Sequence, residues 1–393
     1  MLTKKKQIRK SLFLLWISHF FIDFFTGIWP IYKTVAKIDI AKAGLILGVA
    51  GFIGEILQPV FGYLSDQGHR KNMLIIGLAL CAPMLCISYS DHLLSSFFIL
   101  LSMMIGSAAF HPAAVGMVPT LVTENKARNL LFFNSGGAVG FGLSQIIFLF
   151  FFFRFDRDLF MLLLFPGAWI LVLFLHQFPT QAPPSTSSLK GFLQPFLFYR
   201  KSLSLLYFSQ VVYQGMRATF LFFLPEVLQA RCSNQWVSHG GGFFFFVLGT
   251  AVAMMPAGHL SDKYGLKRVL LIVVSHTICL FCFLLLSKQL AIGECLFLLT
   301  LLGALFGVIN PLTISWGHSL VPQSPSTVSG LLMGLAWCVG NLTPACAGFL
   351  HAHFAGGNDR MVLSIMATFL IIVFFLLLSA PRPVMEADVD KLT

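Results

Sequence analysis

The sequence is a succession of twelve long, mostly apolar runs: 11–32, 43–64, 73–90, 94–118, 129–153, 159–178, 203–228, 240–260, 267–287, 291–318, 326–350 and 360–380. Each is close to the roughly 20 residues an α-helix needs to cross the hydrocarbon layer of a bilayer. Backbone N–H and C=O groups find no water there, so only helices and closed barrels can span it. Barrel strands would read as segments of about 10 residues with alternating polarity, and these runs are longer and apolar on every face. The expected fold class is an all-α membrane protein of twelve transmembrane helices. Composition agrees, because only 10% of residues are charged against about 25% in soluble domains. The mean hydropathy is +0.84. That leaves too little polar surface to coat a water-soluble globule.

The loops carry the rest of the design. The longest polar stretch, 179–202, is rich in Pro and Ser and reads as a cytoplasmic linker between an N-terminal six-helix bundle (1–178) and a C-terminal one with a short cytoplasmic tail (203–393). The lysine-rich start followed by SLFLLWISHFF mimics a signal peptide. Its apolar part runs on to Pro30, contains Asp23 and lacks a small-x-small cleavage site, so it is expected to stay as the first span. Lys and Arg concentrate in the start, the linker and the loops after spans 2, 4 and 8, which places both termini in the cytoplasm. Lys33, Lys37 and Lys42 in the first outer loop run against that bias. The net charge of +11 is spread over these short loops and forms no basic stripe, so no nucleic-acid partner is expected. Cys279 and Cys282 have metal-like spacing but lie inside the apolar run TICLFCFLLL, and no metal or cofactor is expected.

The two halves repeat. Gly62-Tyr63-Leu64-Ser65-Asp66 after span 2 returns as Gly258-His259-Leu260-Ser261-Asp262 after span 8, 196 residues later. Pro30 matches Pro225, His111-Pro112 matches Asn310-Pro311, and Val139-Gly140 matches Val339-Gly340, at offsets of 195, 199 and 200. Duplicated halves facing one midplane site are a transporter arrangement. In each loop a glycine near the helix end permits close approach of another helix. The aspartate suits a neighbouring helix N-terminus, and Arg70, Lys71, Lys267 and Arg268 anchor at the interface.

These loops resemble the major facilitator superfamily, in which the same pattern joins helices 2 and 3 and helices 8 and 9. The resemblance covers the whole chain and implies two pseudo-symmetric six-helix bundles. It makes Gly62, Asp66, Arg70, Gly258, Asp262, Lys267 and Arg268 gating-loop residues. The first copy departs from the pattern, with Gln67 where a basic residue is usual and His69 where a glycine is usual, so the role is expected more of the second copy. Ser18-His19-Phe20-Phe21-Ile22-Asp23, Gln58-Pro59-x-x-Gly62 and Phe110-His111-Pro112-Ala113-Ala114 further resemble the fosmidomycin-resistance efflux branch of bacterial inner-membrane proteins. That resemblance implies drug-proton exchange, with Glu55 standing where a small or hydroxyl residue is expected.

Charges kept inside spans point to the pathway. A charge at the bilayer centre costs about 2.5–3.5 kcal/mol on insertion scales, so retained ones face the bundle interior. Asp23 shares a helix face with His19, Gly27 and Pro30. Glu55 lies on a stripe of Gly44, Gly48, Gly51, Gln58 and Gly62, which reads as a close-packing face and makes Glu55 the candidate proton carrier. Arg217 is central in span 7 beside Gln210, Tyr213 and Gln214, and is expected to face one cavity with Asp23. His111 sits before a proline that frees a backbone carbonyl. Substrate or proton contacts are therefore expected at Asp23, His19, Glu55, His111, Arg217, Gln214 and Asn310; for each, a structural ion pair or packing role is the alternative. Gly136, Gly140 and Ser144, and Gly340, Pro344 and Gly348, form small-residue seams in spans 5 and 11. The phenylalanine runs 150–153 and 243–246 are expected to face lipid.

The leading function is a proton-coupled secondary transporter exporting a small amphipathic or anionic solute, working as a monomer in a bacterial inner membrane. An importer of a phosphorylated or carboxylated metabolite would use Arg217 as its anion contact. A non-transporting receptor or scaffold would not need polar midplane residues in both halves. No GxxxxGK[ST] loop is present to use ATP, and no HExxH motif suggests an intramembrane enzyme.

Overall fold

The computed structural model describes residues 2–38, 40–90, 92–122, 124–179, 196–232, 234, 236–340, 342–343, 346–347 and 359–381. Among them there are helices and turns but no strands. In chain order the helices are α1 (Leu2–Thr26), α2 (Ile28–Val35), α3 (Ile40–Ile56), α4 (Gln58–Leu64), α5 (Arg70–Cys81), α6 (Leu93–Leu121), α7 (Lys126–Arg154) and α8 (Leu164–Leu175). After the linker come α9 (Arg200–Arg231), α10 (Gly242–Tyr264), α11 (Leu266–Leu286), α12 (Ile292–Leu320), α13 (Pro325–Ser329), α14 (Ala336–Gly340) and α15 (Asp359–Ser379). Among the described residues, six stretches are long and apolar enough to cross a bilayer on their own, and α7 adds a seventh if its bent halves count as one. The chain is a multi-pass, all-α integral membrane protein.

Where helices break, the sequence supplies the reason. The first expected span divides at Gly27 into α1 and α2. The second divides at Leu57, just before Pro59, whose ring obstructs the preceding turn. The third continues beyond α5 as a 3-10 stretch, Ala82–Tyr89, opened by Pro83. α1 also starts nine residues earlier than expected and takes the lysine-rich segment into the helix. The linker at 180–195 and much of the eleventh span beyond residue 343 lie outside the described residues, Pro344 and Gly348 of its seam included.

The chain packs as two compact units, Met1–Ser185 with Gln323–Leu335, and Thr186–Pro322 with Ala336–Thr393. The opening of the eleventh span, α13 and the π-turn Gly330–Leu335 after it, therefore belongs to the first unit. In that unit α1 and α7 lie backbone to backbone. A Cβ on Gly136 would stand 2.4 Å from the Trp16 carbonyl oxygen, and one on Gly140 2.1 Å from that of Phe20. The second unit has a matching seam between α10 and α12: a Cβ on Gly249 would lie 1.9 Å from the Thr300 oxygen, and one on Gly303 1.8 Å from that of Phe246. Thr250 then donates its hydroxyl to the Gly303 carbonyl at 2.8 Å. Gly340 packs on Gly215 and Gln214.

Two packing expectations need correction. The α3 stripe is not close-packed along its length, since a Cβ on Gly48 or Gly51 would meet nothing within 4 Å. The close contacts are made by Gly54, off the stripe, against Met104, and by Gly62 against Ser326. Nor do the phenylalanine runs face lipid throughout. Phe150 and Phe153 are exposed, while Phe152 and Phe246 are buried, Phe152 edge-on to Tyr32 and Phe246 tilted against Phe220 and Phe306.

Candidate functional site

Within the first unit two helices bring titratable side chains together and a third packs against them. α1 places His19 and Asp23 one turn apart, and His19 Nε2 lies 3.4 Å from Asp23 Oδ2. α6 brings in His111, whose Nε2 is 3.4 Å from the other carboxylate oxygen, Oδ1. The far nitrogen of each ring is committed to the backbone. His19 Nδ1 donates to the Phe133 carbonyl at 3.1 Å, and His111 Nδ1 to the Ser107 carbonyl at 2.9 Å. Phe110 and Phe133 pack on the His19 ring, and His111 meets it edge-on. α7 closes the cluster with Gly137, where a Cβ would lie 2.3 Å from Asp23 Oδ2. Both histidines are buried, and the Asp23 side chain keeps 24% of its exposure. Among the described residues, the charged or titratable side chains nearest the Asp23 carboxylate are thus two histidines of its own unit.

Glu55 is buried near the end of α3. Gln58 Nε2, one turn on in α4, donates to its Oε2 in a very short contact. Gln58 Oε1 is buried without a hydrogen-bond partner. His111 is the titratable group that faces Glu55 electrostatically from α6.

In the second unit α9 carries a polar face. Gln210 donates from Nε2 to the Asn310 backbone carbonyl at 3.3 Å, while Gln210 Oε1 and Asn310 Oδ1 are buried without partners. Tyr213 donates to the Phe306 carbonyl at 2.6 Å. Gln214 is buried, and Arg217 is half-buried one turn further on. No carboxylate pairs with Arg217 among the described residues. α9 ends on Arg231, which is fully buried and donates to the carbonyls of Val227 and Leu284 at 3.0 and 2.9 Å.

The repeated loops differ in their surroundings. Asp66 is buried and accepts from Ser326 N at 3.1 Å, Thr327 N at 2.8 Å and the Thr327 hydroxyl at 2.8 Å. It thereby serves the open N-terminus of α13, whose own cap residue Ser324 makes no side-chain bond. Arg70 holds it from the other side at 2.7 Å and donates from Nε to Ser326 Oγ at 3.0 Å. Gly62 and Gly116 leave room for this segment, since a Cβ on either would stand 2.5 Å or less from an atom of Ser326. Gly68 supplies the turn at φ +101°, one position before the glycine the family pattern leads one to expect. Asp262 and Arg268 are exposed, Gly258 is buried, and the turn is Gly265 at φ +90°.

One pairing was not foreseen from the sequence. Lys71 Nζ donates to the Phe174 carbonyl at 2.7 Å, in the last turn of α8. Lys267, 196 residues later, donates to the carbonyls of Leu378 and Ala380 at 2.8 and 2.5 Å, at the end of α15. Each lysine caps the final helix of its half, as a cation near orphan C-terminal carbonyls should. Their common offset was a readable signal.

A family model described as Major Facilitator Superfamily matches residues 11–343. The chain is 28% identical over 195 residues to the uncharacterized MFS-type transporter YfkF of Bacillus subtilis, covering 49% of this chain and 48% of the relative. It is 29% identical over 133 residues to protein spinster homolog 1 of Xenopus laevis, covering 32% and 25%. The chain thus spans about half the length of the first of these curated relatives and a quarter of the second. Among solved structures it resembles a variant of the E. coli fucose:proton symporter FucP at a TM-score of 0.79 and 15% identity, covering 96% of this chain and 100% of that one. It also resembles the human organic anion transporter MFSD10 at 0.73 and 14%, covering 94% and 99%. The fold, the duplicated loops and a family match over most of the sequence agree: the chain belongs to the major facilitator superfamily.

Proposed function

We propose that the chain is a secondary active transporter that carries a small anionic solute by alternating access, coupled to protons and in the direction of efflux. The observation that supports this reading is the retention of buried and half-buried polar and ionisable groups inside the spans of both units. Asp23, Glu55 and His111 lie in one unit, and Gln210, Gln214 and Arg217 in the other. Such groups are costly in a membrane and mark solute or ion pathways. Arg217 has no carboxylate partner among the described residues and suits a phosphate, phosphonate or carboxylate on the solute. That feature serves an importer of a phosphorylated or carboxylated metabolite equally well. Glu55 is the proton carrier in this reading, and His111 is the titratable neighbour that faces it. The two six-helix bundles joined by 179–202 rock against each other, with the loops at Asp66 and Asp262 as gates. The efflux branch, the bacterial inner membrane, cytoplasmic termini and a monomeric working unit complete the proposal.

Transport in proteoliposomes under an imposed pH gradient tests it. Glu55→Gln keeps shape and hydrogen bonding but cannot titrate. It should still exchange substrate down a gradient, yet lose pH-driven accumulation at least tenfold. Full proton-driven transport by this variant would make Glu55 a packing residue. Failure of any anion to move in either direction would remove the transport reading.

A further inference from the structure

The cluster of His19, Asp23 and His111 has a property that no titration argument uses. Each imidazole has given its Nδ1–H to a backbone carbonyl, at 3.1 and 2.9 Å. A carbonyl can only accept, so Nδ1 carries a proton in each ring, and in the neutral tautomer Nε2 presents a lone pair; the Ser107 hydroxyl lies a further 3.0 Å from His111 Nδ1. Both Nε2 atoms point at Asp23, whose carboxylate oxygens are also acceptors. With both rings neutral in that tautomer, the three side chains present ligand atoms to one another, and a cation fits among them.

The distances suit a metal. The Nε2–carboxylate separations are both 3.4 Å, longer than the 2.7–3.2 Å of an ordinary N–H···O bond. Ligands 2.0–2.2 Å from a tetrahedral ion are spaced about 3.4 Å apart, a spacing that each histidine makes here with a different carboxylate oxygen. The three ligand atoms all lie within 4.8 Å of one another. The backbone bonds on Nδ1 are the outer contacts that fix metal-ligating histidines. Gly137 adds an independent sign. A Cβ there would stand 2.3 Å from Asp23 Oδ2 and 2.5 Å from His19 Nε2, so the glycine keeps open the side from which two of the ligand atoms are reached.

We propose that His19 Nε2, Asp23 and His111 Nε2 bind one divalent first-row transition-metal ion. Two imidazoles and one carboxylate suit zinc, cobalt, nickel or copper, and not magnesium or calcium, which take oxygen ligands. Three protein ligands leave a coordination position open. The partial exposure of Asp23 beside buried histidines makes the ion exchangeable. The proposal is independent of Glu55 and of Arg217.

The test uses the full chain, purified in detergent with any affinity tag removed. Zn²⁺ binding is followed by isothermal titration, and Co²⁺ geometry by visible absorption. One ion per chain and an intense tetrahedral Co²⁺ spectrum are expected, with Mg²⁺ failing to compete. Asp23→Asn and His111→Gln should weaken binding by at least the roughly 10–100-fold that loss of an outer-shell partner causes. Gly137→Ala, which removes no ligand, should weaken it about tenfold. His19→Cys, which keeps a ligand, should retain the ion and add a thiolate charge-transfer band, and Glu55→Gln should bind as the parent does. Thermal unfolding of each variant shows whether it is folded. If Asp23→Asn is not, Gly137→Ala and His19→Cys still decide the matter. Absence of Zn²⁺ binding to the parent would overturn the proposal and leave the cluster to protons. Binding unchanged in Gly137→Ala and His111→Gln would place the ion on exposed histidines such as His69 or His276 and overturn it as well.

Discussion

The loop after α4 and the loop after α10 come from one repeated sequence, yet the structure treats their parts differently. Lys71 and Lys267 do the same thing in both units, each closing the C-terminal turn of the last helix of its half. The aspartates do not. Asp66 is buried under three donors and an arginine, whereas Asp262 is exposed. The lysine contact lies inside the bundle formed by each half, so both copies keep it. The aspartate contact requires a helix N-terminus to be delivered to it, and α13 is delivered to Asp66. In sequence, Gln67 and His69 made the first copy the poorer match to the family pattern. Those departures sit at positions that the Asp66 contacts do not use.

Breaking the aspartates should produce the largest contrast. Asp66→Ala removes the three hydrogen bonds it accepts from Ser326 and Thr327 and takes from Arg70 its ion-pair partner, which should cost about 3 kcal/mol. Asp262→Ala, at an exposed position, should cost at most about 1 kcal/mol. Thermal unfolding of the two variants in the same detergent checks this, and equal shifts would show that the loops are equivalent. In transport, Asp262→Ala should slow turnover more than it weakens substrate affinity; unchanged turnover with weakened binding would contradict a gating role.

The seams should behave alike in the two units. Gly140→Ala forces a methyl group onto the Phe20 carbonyl and Gly303→Ala onto that of Phe246, so each should cost about 1–3 kcal/mol. Gly51→Ala, where a Cβ would meet nothing within 4 Å, should be neutral or slightly stabilising. A large loss from Gly51→Ala would mean that another state of the protein packs that face.

The smallest effect tests the symmetric part. Lys71→Met and Lys267→Met should each cost about 0.3–1 kcal/mol, the value of a cation at a helix C-terminus. The two losses should match within error and fade in high salt. A cost confined to one of them would limit the shared design to one half.

How far the sequence carried depended on whether a signal was local. Long apolar runs and the recurrence of Gly-x-x-x-Asp are properties of contiguous residues, and the all-helical fold follows from them. The i,i+4 relation of His19 and Asp23 was equally readable. The arrival of His111 was not, since it depends on how α6 packs against α1, which one sequence does not encode in any spacing. The α3 stripe failed for a related reason: periodicity identifies a face but not what lies opposite. Gly54, off the stripe, is the residue that meets Met104. The placement of α13 was illegible too, because its partner Asp66 lies 260 residues away.

That separation has a consequence in time. Ribosomes add roughly 5–20 residues each second, and the N-terminal part of a chain folds as it emerges. Asp66 is therefore made roughly ten to fifty seconds before Ser326 and Thr327 exist to cover it. During that interval the first six spans stand in the membrane with an uncapped carboxylate and an open groove at Gly62 and Gly116. A nascent chain stalled before residue 323 would present that groove, and release past residue 335 would close it. The last step in assembling the N-terminal unit is thus set by synthesis of the C-terminal half.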